Sequence, residues 1–238
     1  MGRLVLVPTP LGNLGDITLR AIEVLKSSDF ILAEDTRTTG VLLKRYEIDK
    51  PVRPFHLHNE HKVLHAIVSA IEKADKVSLV SDAGTPGISD PGFLLVRACI
   101  AKDIEVECLP GPTAIIPALV ISGFPSDRFC FEGFLPHKKG RQTRIKRIVE
   151  EDRTVIIYES PFRLLKLLQE LKDWAGPDRP AAVVREISKI HEEVKRGSIE
   201  DLIKHFQEKG IKGEIVVVLG GKSDQEFSSE GFTKRNKA

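Results

Sequence analysis

The sequence has few cysteines and no long hydrophobic run. Its three cysteines, at positions 99, 108 and 130, are odd in number and widely spaced. This spacing does not match a zinc knuckle or a redox motif, so we expect reduced, structural thiols. The most apolar stretch, 108–125, is interrupted by prolines and is too short to span a bilayer. We therefore expect no membrane helix.

Neither sign of charge is in large excess. The formal net charge is only +2, from 36 basic and 34 acidic residues. A uniformly basic, polyanion-binding protein is therefore excluded, and any nucleic-acid contact must depend on a local cluster. The first residues lead into a strand pattern at 3–7 without the basic segment, apolar run and cleavage site of a signal peptide. We expect a cytoplasmic location.

The sequence also lacks the usual phosphate-binding signatures. Neither G-x-G-x-x-G nor G-x-x-x-x-G-K-[ST] occurs in it. A pyrophosphate ligand is therefore disfavoured, and a nicotinamide-dependent oxidoreductase is only a distant alternative. Prolines stand where such a loop would carry glycines, and proline fixes the chain and removes an N–H donor. Loops of this kind form walls rather than an anion cradle.

Short β-branched runs alternate with helix-period segments through the first half of the chain. This alternation is typical of parallel strands joined by crossover helices. The texture changes near Gly123, where a phenylalanine-rich stretch leads into a second series of strands and helices. We predict an α/β protein with domains at 1–123 and 124–221. The polar tail at 222–238 has few apolar anchors, and we expect it to be disordered.

Five unusual loops follow the five predicted strands of the first domain. They occupy residues 8–15, 34–38, 56–60, 81–92 and 110–114. In open α/β sheets the ligand lies outside the carboxyl ends of the strands, so the five loops are predicted to converge on one site.

The fourth of these loops, SDAGTPGISDPG, is the stiffest. Asp90 and Pro91 are predicted to begin the next helix, as N-cap and first helical residue. That structural role leaves Gly84 to Ile88 unexplained. Together with Leu11 and the hydroxyls of Thr85 and Thr113, this segment would suit a nucleoside with little negative charge, and S-adenosylmethionine is such a ligand.

Several motifs together resemble one known family. SDAGTPGISDPG, AEDTRTT, HNE, LPGPTA and TPLGNLGDITLRA closely resemble the ribosomal RNA small subunit methyltransferase I family of the tetrapyrrole methylase superfamily. The resemblance covers the chain from about Arg3 to Leu219. It implies a two-domain tetrapyrrole-methylase-like fold, with a mainly parallel sheet in the N-terminal domain and a mixed sheet in the C-terminal domain.

The resemblance also implies a function. It implies a homodimer that binds S-adenosylmethionine between its two domains. The implied reaction is methylation of a cytidine ribose 2′-hydroxyl in the decoding region of small-subunit (16S) ribosomal RNA. The first loop has Thr9-Pro10-Leu11 where porphyrin and corrin methylases are richer in glycine. This departure argues against C-methylation of a porphyrin or corrin precursor, which is kept as the alternative function. A non-catalytic RNA-binding module is another alternative.

The donor pocket combines residues carried over from the resemblance with the walls of the fourth loop. From the first half of the chain it would include Leu11, Gly84, Thr85, Pro86, Gly87, Ile88, Thr113 and Ala114. From the second half it would include Tyr158, Ala182, Gly213 and Glu214.

A ribose hydroxyl is a poor nucleophile, and a carboxylate or imidazole near it could take its proton. Asp35 is the first candidate, with Arg37 placing a phosphate or a carboxylate. The further candidates are Glu34, His58 and Glu60. Asp35 or Thr36 would also cap the next helix whatever the function. Asn59 and Glu60 are each open to either a substrate-facing or a helix-capping role.

Three histidines, His56, His58 and His61, have a spacing that could suit a metal. No cysteine lies close to them in sequence, and the resemblance implies no metal. We therefore expect none.

One local cluster of positive charge is present. Residues 138–147 carry six basic side chains and no acidic one. Such runs are often solvated helix faces, but here RNA phosphate contact is predicted for Lys138, Lys139, Arg141, Arg144 and Arg147. Phe129, Phe131 and Phe134 precede this run and are either a stacking surface or strand core.

Overall fold

A computed structural model describes residues 2–223. By internal contacts the chain divides into a first compact unit that ends at Thr113 and a second that begins at Ala114. The predicted disordered tail lies outside the described residues, except for Lys222 and Ser223. No helix within residues 2–223 combines the length and the apolar character needed to cross a membrane.

The first unit consists of five strands and four α-helices among its described residues, with a short 3-10 helix at Leu14–Asp16. The strands are β1 (Arg3–Leu6), β2 (Phe30–Ala33), β3 (Val52–Pro54), β4 (Lys76–Val80) and β5 (Glu105–Cys108). The helices are α1 (Leu19–Ser27), α2 (Thr36–Arg45), α3 (Glu60–Lys73) and α4 (Phe93–Ile100). The sheet has the order β3-β2-β4-β1-β5, and all its strand pairs are parallel. This confirms the predicted parallel sheet.

Both faces of this sheet are buried, as parallel sheets require. Leu4 and Leu6 of β1 pack in one cluster with residues of α3 and α4. Val5 and Val7 face the other way and pack with residues of α1 and α2. Each fully buried aliphatic side chain contributes about 1.5–3 kcal/mol. The alternation of strand residues therefore holds helices on both sides and leaves the strand ends free to form loops.

The strand order has a switch point between β1 and β4. The connection after β1 leads through α1 to β2 on one side, and the connection after β4 leads through α4 to β5 on the other. Because these two connections diverge, a crevice opens at the carboxyl ends of β1 and β4. The first and fourth predicted loops lie at this place.

The second unit consists of a mixed sheet covered by helices on both faces. Its strands are β6 (Phe129–Phe134), β7 (Thr154–Glu159), β8 (Pro180–Arg185), β9 (Glu193–Ser198) and β10 (Ile215–Leu219). Its helices are α5 (Ile115–Ser122), α6 (Arg141–Val149), α7 (Leu164–Ala175) and α8 (Ile199–Glu208). In the order β6-β7-β10-β8-β9 only β6 and β7 are parallel, which confirms the predicted mixed sheet.

Helix α5 explains where the two units separate. Its residues Ile115, Ala118 and Leu119 pack in a cluster with Ile156 and Val218 of the second sheet. The helix therefore belongs to the second unit, and the division falls before Ala114 rather than after residue 123. The change of sequence texture near Gly123 marks the end of α5, where Gly123 adopts the left-handed conformation with φ of 81°.

Candidate active site

Two loops are joined by backbone hydrogen bonds at the switch point of the first sheet. The N–H of Thr9 donates to the carbonyl of Gly84 at 2.9 Å, and the N–H of Gly84 donates to the carbonyl of Thr9 at 2.9 Å. The hydroxyl of Thr9 also donates to the carbonyl of Ser81 at 3.0 Å, and Thr9 is buried. The first and fourth loops therefore form one rigid piece.

The fifth loop is attached to the same piece. The hydroxyl of Thr85 donates to the carbonyl of Pro112 at 3.0 Å. Gly111 packs so closely on Pro8 that an added Cβ would lie 2.7 Å from the proline Cβ. Only glycine fits at Gly111, and this close approach holds the fifth loop beside the first.

Glycines also shape the fourth loop. Gly84 has φ of 81°, and a Cβ there would lie 3.2 Å from Cδ2 of Leu11. Three further residues of the loop adopt positive φ, namely Gly87 at 83°, Ser89 at 65° and Gly92 at 142°. Because the chain turns at Gly92, α4 begins at Phe93, and the predicted helix start at Asp90 and Pro91 is wrong.

The donor residues predicted in the first unit come together in part. Leu11 contacts the Gly84 backbone position, and Thr85 is bonded to the residue before Thr113. Pro86 is buried, whereas Ile88 is 40% exposed on the outer part of the loop. The resulting surface is weakly charged, since its side chains are apolar or carry a neutral hydroxyl.

At the end of β2, Asp35 is committed to local bonds. Its carboxylate accepts from the N–H of Arg37 at 2.8 Å, which caps α2, and from the Arg37 guanidinium at 3.1 and 2.6 Å. The hydrogen bonds from Arg37 lower the pKa of Asp35 to about 2. The arginine side chain itself is 90% exposed. A carboxylate held in this way is a weak proton acceptor at neutral pH.

The neighbouring Glu34 has a different environment. Burial raises the pKa of Glu34, and the nearby charge of Asp82 raises it further, while a hydrogen bond from the Asp82 backbone and the nearby His56 act in the opposite direction. Asp82 also accepts the N–H of Asp35 at 3.1 Å. Asp82 was absent from our predicted site. Its position two residues after a buried strand, at the start of the stiff fourth loop, is the sequence signal that could have identified it.

Asn59 organises the third loop. Its side-chain oxygen accepts from the N–H of His56 at 2.9 Å, and its amide donates to the carbonyl of Pro54 at 3.2 Å. It makes no side-chain cap bond to α3. Glu60 is the first residue of α3 and is buried. The Asn59 side chain therefore holds the strand end in its turn and does not cap α3, and the substrate-facing role of Asn59 stays a prediction.

The histidines of the third loop lie close together without forming a metal site. The rings of His56 and His58 have centroids 6.0 Å apart in an edge-on arrangement, and His58 is exposed. Nδ1 of His56 is buried and has no hydrogen-bond partner among the described residues. Across residues 2–223, no three His, Cys, Asp or Glu side chains are grouped so that they could hold a metal ion.

In the second unit, Tyr158 lies in an aromatic cluster near the end of β7. Its ring centroid is 4.9 Å from that of Phe131 and 5.5 Å from that of Phe134. Phe129 and Phe131 pack against the core, whereas Phe134 is 55% exposed. The phenylalanine-rich stretch is therefore mainly strand core, with one ring accessible at the strand end.

The other predicted donor residues of the second unit have distinct surroundings. Ala182 is fully buried in the core of its sheet. Gly213 has φ of 87° and lies against Glu186, whose carboxylate would be 2.3 Å from an added Cβ. The N–H of Glu214 donates to the same carboxylate at 2.8 Å. Glycine is thus required before β10 because a buttressing carboxylate occupies the space of a side chain.

The basic run divides into buried and exposed members. Arg141 is buried and forms ion pairs with Glu170 at 2.8 Å and Glu159 at 3.5 Å. Its guanidinium also donates to the carbonyl of Pro136. The structure therefore corrects the prediction for Arg141: as the inward-facing first residue of α6, it is not available to a phosphate. Arg144 is half exposed and pairs with Glu132.

The other three residues predicted to contact RNA lie at the surface. Lys138, Lys139 and Arg147 are exposed, and none of them has an ion-pair partner within the part of the chain that the structure describes.

Replacing Arg141 by alanine should destabilise the second unit strongly. The change leaves the fully buried Glu159 carboxylate with one cation fewer, and breaking a buried pair costs about 3–5 kcal/mol. Arg144→Ala removes an exposed pair on the same helix and should cost less than about 1 kcal/mol. Urea unfolding of both variants measures the difference, and equal losses would contradict a structural role for Arg141.

Comparison with known proteins places these features in a family. The family model of the tetrapyrrole (corrin/porphyrin) methylases matches residues 3–203. A ribosomal RNA small subunit methyltransferase I of Thermotoga maritima is 47% identical over 93% of this chain and 100% of its own length. The protein of that name in Hydrogenobaculum is 49% identical over 91% of this chain and 95% of its own, and that of Escherichia coli O157:H7 is 45% identical over 94% and 80%.

Solved structures show the same fold at low sequence identity. A uroporphyrin-III-C-methyltransferase from Thermus thermophilus superposes with a TM-score of 0.64 at 20% identity, and covers 95% of this chain and 97% of its own. A second structure, of the native form of that enzyme, gives 0.65 at 18% identity and covers 94% and 99%. From its sequence and its fold together, the chain belongs to the tetrapyrrole methylases and, within them, to the ribosomal RNA small subunit methyltransferase I family.

Proposed function

We propose that this chain transfers a methyl group from S-adenosylmethionine to the 2′-hydroxyl of a cytidine in small-subunit ribosomal RNA. The observation that carries this proposal is the rigid assembly of the first, fourth and fifth loops at the switch point, built from the family's own motifs. The names of relatives that are 45–49% identical support the substrate class.

The loop residues of the first unit fit such a donor. Leu11 and Ile88 provide apolar surface beside the buried Pro86, and the N–H and carbonyl of Gly84 are bonded to Thr9, which fixes the loop next to Leu11. When bound, S-adenosylmethionine supplies a methyl group on a positively charged sulfur. Neutral walls suit its adenosine moiety, because they offer packing and backbone hydrogen bonds without a cluster of phosphate-binding N–H donors. The contributions of Tyr158, Ala182, Gly213 and Glu214 stay predictions.

The main catalytic contribution of the protein is positioning. Displacement at a methyl carbon needs the nucleophile in line at about 3–3.5 Å, and rigid loops keep such an alignment at low entropic cost. The bonds between Thr9 and Gly84, and between Thr85 and Pro112, provide this rigidity.

The RNA would be held by the exposed members of the basic run. Lys138 and Lys139 precede α6 and Arg147 lies on its last turn, so the three residues border one helix. Phosphate contacts position an RNA without reading its sequence. The names of the relatives favour small-subunit ribosomal RNA, free or in the assembled subunit, as the substrate. A homodimer in the cytoplasm stays a prediction from the family.

The alternative substrate is a porphyrin or corrin precursor, as in the structural neighbours. Incubation with labelled donor and either small ribosomal subunits or a tetrapyrrole precursor separates the two activities. We expect label in the ribosomal RNA, in a nucleoside that mass spectrometry identifies as 2′-O-methylcytidine. Label in the tetrapyrrole alone would overturn the proposal. If the chain failed to bind S-adenosylmethionine, a non-catalytic RNA-binding module would be favoured instead.

Replacing Ile88 by glutamate should weaken donor binding by more than about tenfold, because it places an unpaired charge on an apolar wall. Ile88 is a better test than Thr85, whose hydroxyl also holds the fifth loop. The matched control is Ile100→Glu, an exposed isoleucine at the far end of the following helix. Calorimetry with S-adenosylmethionine gives both affinities, and equal affinities would show that the donor lies elsewhere.

Replacing Lys138 and Lys139 together by glutamate should weaken RNA binding. The binding that remains should depend less steeply on salt concentration. Each lost phosphate contact lowers the slope of log K against log salt concentration by about 1. The control is Lys26→Glu with Lys44→Glu, which changes the net charge equally at exposed helix ends of the first unit. Filter binding at several salt concentrations compares the two, and identical slopes would mean that the effect is one of net charge only.

A further inference from the structure

Two adjacent carboxylates end β2, and the structure separates their roles. Asp35 caps α2, and its carboxylate accepts hydrogen bonds from the backbone N–H and the guanidinium of Arg37. Glu34 has no ion pair with a basic side chain among residues 2–223 and is half-buried. One carboxylate therefore maintains a helix start, while its neighbour is available for chemistry.

The strands next to β2 place two further groups beside Glu34. Ala33 of β2 pairs with Pro54 of β3 and with Val80 of β4. The chain therefore carries His56 and Asp82 to the same edge, two residues beyond those partners. Both act electrostatically on Glu34, and the backbone of Asp82 donates a hydrogen bond to its carboxylate.

We propose that Glu34 is the catalytic residue that accepts the ribose proton, and that Asp82 and His56, which the neighbouring strands bring to the same edge of the sheet, are positioning residues. This inference rests on the proposed function. Asp35, which the sequence favoured, is assigned to the helix cap instead.

The step balances as a displacement with proton transfer. The ribose oxygen forms a bond to the methyl carbon of the sulfonium donor while the carbon–sulfur bond breaks. The sulfur keeps the electron pair and becomes a neutral thioether. The hydroxyl proton moves to the Glu34 carboxylate, which afterwards releases it to water.

The environment of Glu34 suits this task better than that of Asp35. A base works best when its pKa approaches the working pH. Burial and Asp82 raise the pKa of Glu34, whereas the bonds from Arg37 lower that of Asp35 to about 2. The titratable or charged groups on the elements around Glu34 are Asp82 after β4, His56 and His58 after β3, and Asp35 and Arg37 at the start of α2.

The first test compares Glu34→Gln with Asp35→Asn in methyl transfer to unmodified small ribosomal subunits. Glu34→Gln should lower kcat by about 10²–10⁴-fold and leave the calorimetric affinity for S-adenosylmethionine unchanged. Asp35→Asn should lower kcat much less, since asparagine also caps helices well. The inference is overturned if Glu34→Gln keeps wild-type kcat, or if Asp35→Asn loses as much as Glu34→Gln.

The second test does not depend on how Glu34→Gln folds. A base is active when ionised, so kcat rises with pH through its pKa. Asp82→Asn removes a like charge but keeps an oxygen for the N–H of Asp35, and should move this acidic limb to lower pH. His56→Gln removes a neighbour that lowers the pKa of Glu34, and should move the acidic limb of the kcat profile to higher pH.

Carboxyl ¹³C NMR of the ligand-free protein should show the same two opposite shifts in the titration of Glu34. Unshifted or parallel titrations in the two variants would overturn the inference. If the wild-type protein leaves ribosomal RNA unmethylated, the proposed function fails and the inference fails with it. If the wild-type protein methylates ribosomal RNA and Glu34→Gln does so at the same rate, the inference fails while the proposed function stands.

Discussion

The pair of backbone hydrogen bonds between Thr9 and Gly84 is the constraint on which the candidate site depends. These bonds join the loops that follow β1 and β4 at the point where the two connections diverge. The buried hydroxyl of Thr9 adds a third bond, to the carbonyl of Ser81. Without this bridge, two proline-rich loops would be separate surface segments. With it, they share one fixed geometry that a ligand can match without paying for loop ordering.

The edge of the first sheet also shows how similar residues acquire different properties. Glu34 and Asp35 are neighbours in sequence, yet the pKa of Glu34 is raised and that of Asp35 is lowered. The difference comes from partners. The Arg37 guanidinium donates to the Asp35 carboxylate at the start of the same helix. Glu34 is partly buried and lies near Asp82, which follows the adjacent strand. Such pairs of carboxylates with divergent pKa values are typical of functional sites.

In the second unit, charged partners stabilise the structure around the basic run. Arg141 belongs to a basic run, but its side chain points inward to Glu159 and Glu170. It thereby joins the start of α6 to the end of β7, next to Tyr158. The exposed Lys138 and Lys139 therefore lie directly before a helix whose first residue is held by buried ion pairs. A cluster of positive charge at the surface is in this way anchored by a buried ion pair.

The sequence by itself determined the α/β class, the parallel and mixed sheets, the convergence of the loops at the strand ends, and the family. The class, the parallel sheet and the strand-end loops follow from periodicity and turn chemistry, which neighbouring residues carry, whereas the mixed sheet followed only from the family that the motifs resemble. The tertiary structure alone decided that α5 joins the second unit, that Arg141 is buried, and that Asp82 stands beside Glu34. Each of these depends on groups distant in sequence, such as Asp35 and Asp82, which are 47 residues apart. Local patterns do not record which distant group a residue will meet, so these contacts emerged only when the helices and strands were placed side by side.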